Sequence, residues 1–108
     1  MESRRWQLLQ SEIEAKTIIE TAISAFTESR VVIGKAEQGA KSSMREVTFF
    51  IIVPTSIDIT ALSKTLTEMS LDNELLLAFT GYDHGMLHGD MESYFFFVKA
   101  KINQKIRG

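Results

Sequence analysis

Two short stretches decide what this chain can fold into. Val47-Thr-Phe-Phe-Ile-Ile-Val53 and Tyr94-Phe-Phe-Phe-Val98 are dense in β-branched and aromatic residues, the composition that suits a pleated strand. Both are apolar on each of their two faces. Because successive side chains alternate along a strand, Val47, Phe49, Ile51 and Val53 share one face while Phe50 and Ile52 share the other. In the second stretch Tyr94, Phe96, Val98 and Ala100 oppose Phe95 and Phe97. A sheet built on such strands buries one apolar set under helices and still has a second set to cover. Exposed patches of that kind mark contact surfaces more often than idle ones.

The helices that would cover one of these sets are legible around these strands; a register error of one residue exchanges the two faces, so which set they cover stays open. Ala15, Ile19, Ala22, Ile23 and Phe26 recur at helical spacing with no Gly or Pro between them, which predicts a long helix over 6–28. Trp6, Leu9 and Ile13 fall on a different face from that stripe. Residues 1–14 are therefore expected to be an N-terminal helical extension that frays or turns toward a partner, ahead of a single α+β domain over 15–108. Strands are expected over Arg30–Lys35 and Glu46–Pro54, joined through a polar Gly-containing connection. A second helix follows: Asp58 is its N-cap, Ile57 and Leu62 form a hydrophobic staple, and Ile59, Leu62, Leu66 and Met69 make its apolar stripe. It ends at Asp72-Asn73. Glu74–Thr80 and Ser93–Ile102 supply the last two strands, with a loop from Gly81 to Asp90 between them.

The order is thus helix, strand, strand, twice over. Both helices on one face of a four-stranded antiparallel sheet give a two-layer α+β sandwich. The halves echo each other crudely, with Arg30-Val-Val-Ile set against Glu74-Leu-Leu-Leu and Val47-Thr-Phe-Phe against Ser93-Tyr-Phe-Phe.

Composition narrows the function classes without choosing one. The 108 residues fit one domain, and a formal net charge of −2 provides no field that would gather nucleic acid. With no cysteine there is no disulfide framework, thiol nucleophile or thiolate metal site. No apolar run approaches the ~20 residues of a membrane span, and Met1 to Gln10 holds no signal-peptide core.

Chemistry-bearing motifs are few. Gly34 to Ser42 imitates a phosphate-binding loop, but Ala40 separates Gly39 from Lys41 and a strand, not a helix, follows. Asp83, His84, His88 and Asp90 gather in one loop and are weak candidate metal ligands; a glycine-rich loop is a poor pre-organiser of such a site. No serine stands in a nucleophile-elbow pattern, and the basic end at Lys99, Lys101, Lys105 and Arg107 reads as a solubilising tail. A non-enzymatic chain with no catalytic residue and no cofactor is the expectation.

This succession of elements resembles a circularly permuted ferredoxin-like fold made of two helix–strand–strand halves. It is similar in that respect to the periplasmic domains of inner-membrane platform proteins of type IV pilus and type II secretion machines. Trp6 to Glu28 matches the end of a coiled coil plus a first helix, and Val47–Val53, the helix from Asp58 and Leu75–Phe79 follow the same succession. The resemblance implies a structural component that pairs as a homodimer or with a heteromeric protein partner on the periplasmic side of the inner membrane. Arg4-Arg5 departs from the usual charge on that flank. Without the resemblance the cytoplasm is the expected location. The interface is expected to involve Phe50, Ile52, Phe95 and Phe97, with Trp6, Leu9 and Ile13 from the extension. The alternative is a regulatory domain that senses a small ligand or metal through the Asp83–Asp90 loop.

Overall fold

The pleat sorts the two strand stretches as their alternation predicts. In the computed structural model, which describes residues 8–38, 44–87 and 91–103, the chain runs α1 (Glu12–Ala22), β1 (Arg30–Gln38), β2 (Met44–Pro54), α2 (Ile59–Asp72), β3 (Leu77–Leu87) and β4 (Met91–Asn103). The strands make one sheet in the order β1-β2-β4-β3, and every neighbouring pair is antiparallel. Val47, Phe49, Ile51 and Val53 of β2 are buried with Phe96, Val98, Ala100 and Ile102 of β4. The same cluster takes in Ala15 and Ile19 of α1 and Leu62 and Leu66 of α2. Both helices therefore lie on one face of the sheet.

Helix α1 is shorter than its sequence suggests. Ser11 caps it, its hydroxyl accepting from the Glu14 amide at 3.1 Å, and the Glu14 carboxylate accepts from the Gln10 amide at 2.6 Å. This exchange resembles a capping box. Upstream of it the expected helix is absent from the described residues. Leu9 forms a parallel bridge with Ile102, donating to the Lys101 carbonyl at 3.2 Å and accepting from the Asn103 amide at 2.7 Å. Its side chain is fully buried. Leu9 is thus part of this chain's own core and not partner-facing, because β4 offers its backbone a ladder beyond the start of β3.

Helix α2 carries the cap expected at Asp58, which accepts from the Ala61 amide at 3.1 Å. Its far end is closed without glycine. Glu74 and Leu75 hold φ of 55° and 64°, while Glu74 N–H reaches the Leu71 carbonyl at 3.1 Å and Leu75 N–H the Ser70 carbonyl at 2.8 Å. That is the paired bonding of a Schellman closure. It displaces the expected strand start at Glu74 to Leu77. Ser70, buried one turn earlier, donates to the Leu66 carbonyl and accepts from the Phe79 amide, each at 2.9 Å. The hydroxyl fastens α2 to β3 where the β3–β4 register shifts between Phe79 and Gly81. Ser70→Ala is expected to lower stability by about 1–3 kcal/mol, since it strips the Phe79 amide of its acceptor. Urea unfolding of the variant measures this, and an unchanged midpoint would refute the role.

Strand β3 continues to Leu87, so most of the expected Gly81–Asp90 loop is strand. Gly81 sits at φ 142° beside the register shift, a backbone conformation open mainly to glycine. The sheet consequently outruns its helices. The 13 residues of β4 span roughly 43 Å, against roughly 21 Å for the 14 of α2.

The two halves repeat one succession, a helix capped by Ser11 or Asp58 followed by two antiparallel strands, but the sequence echo does not match their faces. Matching Val47 with Ser93 equates buried Phe49 with Phe95 on the other face. A one-residue slip exchanges the faces of a strand.

Candidate functional site

The face away from the helices is occupied at its centre by aromatic rings. Phe50 lies opposite Phe97 and Ile52 opposite Phe95 across the β2–β4 ladder. The Phe50 and Phe97 rings meet edge to face with centroids 5.4 Å apart, a favoured geometry for such pairs. All four side chains are half-buried, as is Val32, which lies beside Phe50 on β1. Because α1 and α2 both pack on the opposite face, no helix among the described residues shields them.

Two glycines on the edge strands shape this surface. A Cβ on Gly34 would stand 2.6 Å from Cζ of Phe50, and one on Gly85 would stand 3.0 Å from Cε1 of Phe95. The rings therefore lie down over bare backbone on each side, which flattens the patch and explains their partial burial. The glycines that resembled loop punctuation serve as seats for these rings.

Charges frame the apolar centre. Toward one end, Thr48 pairs with Lys99 and Glu46 with Lys101. Toward the other, Arg30 lies beside Ile52 on β1 and Asp83 beside Phe95 on β3. Among the described residues, Arg30, Glu46, Lys99 and Lys101 take part in no ion pair; the two that form join Arg45 to Glu12 and His84 to Glu92. The sheet edges are poor templates for another strand. Register shifts interrupt β1 between Ile33 and Lys35 and β3 between Phe79 and Gly81, and such bulges blunt edge pairing.

The remaining residues singled out in the sequence disperse. Ile13 is 77% exposed on α1, away from the aromatic face. Trp6, His88 and Asp90 lie outside the described residues, as do Lys41 and Ser42. Asp83 and His84 are neighbours on β3, so they project to opposite faces and do not converge on one ion. Asp83 accepts from the His84 amide at 2.8 Å, and the imidazole of His84 lies 3.1 Å from the Glu92 carboxylate. Among the described residues no three His, Cys, Asp or Glu groups gather as metal ligands. A groove of about 420 Å³ between the helices is lined by Thr17, Thr21, Thr65 and Glu68 among others; none of their side chains engages another in it in a nucleophile–base arrangement.

Sequence reasoning missed a second aromatic group on the helix side of the β3–β4 arm. Tyr82, 48% exposed, stacks on Phe96 at 5.1 Å and meets Tyr94 edge-on at 5.9 Å, and His84 follows at 5.2 Å from Tyr94. The signal was the alternation Tyr82, His84, Met86, hidden by Gly81 before it and Gly85 within it. No helix among the described residues is long and apolar enough to cross a membrane. No protein-family model, curated protein or solved structure matches the chain.

Proposed function

We propose that this chain is a non-enzymatic protein–protein interaction module whose contact surface is the helix-free sheet face. The contiguous Phe50, Ile52, Phe95 and Phe97 carry this reading. Burying a large apolar side chain is worth about 1.5–3 kcal/mol, so a partner laid over four of them regains much of the cost of association, a few to over ten kcal/mol. The bulged edges favour contact through the face over strand addition.

The fold reads as a circularly permuted ferredoxin-like arrangement. Moving the first strand of a β-α-β-β-α-β unit to the end of the chain gives the α-β-β-α-β-β succession found here, and β4, the strand so moved, is central in the sheet. The platform-protein resemblance fits within this reading as its narrower form, with the module working on the periplasmic side. A full-length gene that encodes no membrane helix ahead of Trp6 would count against that form and leave the module intact.

A photo-crosslinking residue at position 97 in the native host tests the contact surface. Discrete adducts are expected from position 97 and none from position 68 on exposed Glu68 of α2. Equal labelling from both positions, or none from 97, would reject the face as the surface used.

A further inference from the structure

We infer that the partner on this face is a second copy of the chain, related to the first by a twofold axis running along the strands between β2 and β4. The inference rests on the reading of the face given above and adds the partner and its orientation. Rotation about such an axis preserves position along the strands while exchanging β2 with β4 and β1 with β3. Each central residue then meets the copy of its own ladder neighbour: Phe50 meets Phe97, Ile52 meets Phe95, and Glu46 meets Lys101. On the outer strands Arg30, beside Ile52, meets Asp83, beside Phe95. Val32 falls over Gly81, which has no side chain to obstruct it.

Opposite charges thus meet at both ends of an apolar centre, and in a twofold pair every such contact forms twice. The competing twofold axis, across the strands, superposes the apolar centres equally well. It sets Arg30 over Val32 and Asp83 over Gly81 and carries Glu46 and Lys101 beyond the facing sheet's apolar half, so neither of these charge pairs forms. Twisted sheets pack face to face about 30° apart. About the apolar centre that rotation displaces Arg30 and Asp83 by about 4 Å, within the reach of an arginine, and Glu46 and Lys101, five residues out, by about 8 Å. The patch from Glu46 to Pro54, four strands wide, covers roughly 30 by 19 Å. That footprint is about 570 Å² per partner, which in a pair clears the about 1,000 Å² of total buried surface expected of a biological interface but falls below its standard size.

Arg30 and Asp83 make the decisive test because they stand on opposite edge strands, about 14 Å apart by strand spacing. Any coupling between them is therefore between chains, whereas Glu46 and Lys101 are ladder neighbours within one chain. Sedimentation of the 108-residue chain is expected to show a dimer. Arg30→Glu and Asp83→Lys should each raise its dissociation constant roughly tenfold, and the double variant should return to within about threefold of the parent, with unchanged circular dichroism throughout. As a second readout, a short bis-maleimide should link Arg30→Cys/Asp83→Cys chains into dimers, since the sequence has no other cysteine. A parent chain that stays monomeric overturns the inference; crosslinks from position 97 to a protein of another mass would then leave the face reading standing alone. A dimer broken by Phe95→Lys yet indifferent to both charge reversals overturns the strand-parallel axis and again spares the face.

Discussion

Phe96→Ala is expected to destabilise the fold by about 3–5 kcal/mol, the usual range for truncating a buried aromatic side chain. Phe96 is fully buried at the middle of β4. Its ring stacks on Phe79 at 5.9 Å and on Tyr82 at 5.1 Å, so the substitution removes aromatic contacts as well as volume. Domains of this size hold about 5–15 kcal/mol in total, and each kilocalorie moves the melting temperature by about 4–8 °C. The variant should melt at least about 12 °C lower, or fail to fold at working temperature. A calorimetric shift of only a few degrees would mean that β4 is turned the other way, with Phe95 and Phe97 in the core.

That sensitivity to a single residue explains which parts of the fold were legible in the sequence. In β2 and β4 the alternation is unbroken, so the two sets were readable. Which of them is buried was not, because both are apolar and only the placement of the helices decides between them. Helix α2 was readable because its signals are local: Asp58 at the cap and Leu62, Leu66 and Met69 on one stripe. The start of α1 was misread although Ser11 and Glu14 carry a capping signature, because apolar Leu9 and Ile13 on either side extend a helix-like pattern. No local rule could have assigned Leu9, whose partner Ile102 lies at the other end of the sequence.

Glycine caused the other misreading, and its physical cause bears directly on the candidate site. Glycines usually mark turns, so Gly81 and Gly85 hid the continuation of β3 and with it the Tyr82–His84–Met86 row. In the structure Gly81 supplies a backbone angle and Gly85 a seat for the Phe95 ring. Neither role is visible until β4 is laid beside β3. The aromatic face itself was legible as a surplus of apolar residues, but the opposition of Arg30 and Asp83 across it was not. Their relation depends on the order β1-β2-β4-β3, which puts these two strands at opposite edges.

One residue from Phe96, the opposite outcome is expected. Phe95→Lys should leave the monomer's melt within a few degrees of the parent, because Phe95 is half-buried on the helix-free face and its ring lies over the bare backbone of Gly85. Its effect should fall on association. Central aromatic anchors at protein interfaces contribute about 2 kcal/mol or more each, and a twofold interface loses the anchor twice. The dissociation constant should therefore rise by roughly a thousandfold, since every 1.4 kcal/mol is tenfold. The introduced lysine deepens the effect, for its ammonium would have to be desolvated against Ile52 of the facing copy. Sedimentation at several concentrations, paired with thermal melts of the same samples, separates the two readouts. A variant that still associates as the parent does would remove the aromatic face from the interface. A variant that unfolds would show that Phe95 belongs to the core, and that the face opposite the helices is closed by the chain itself.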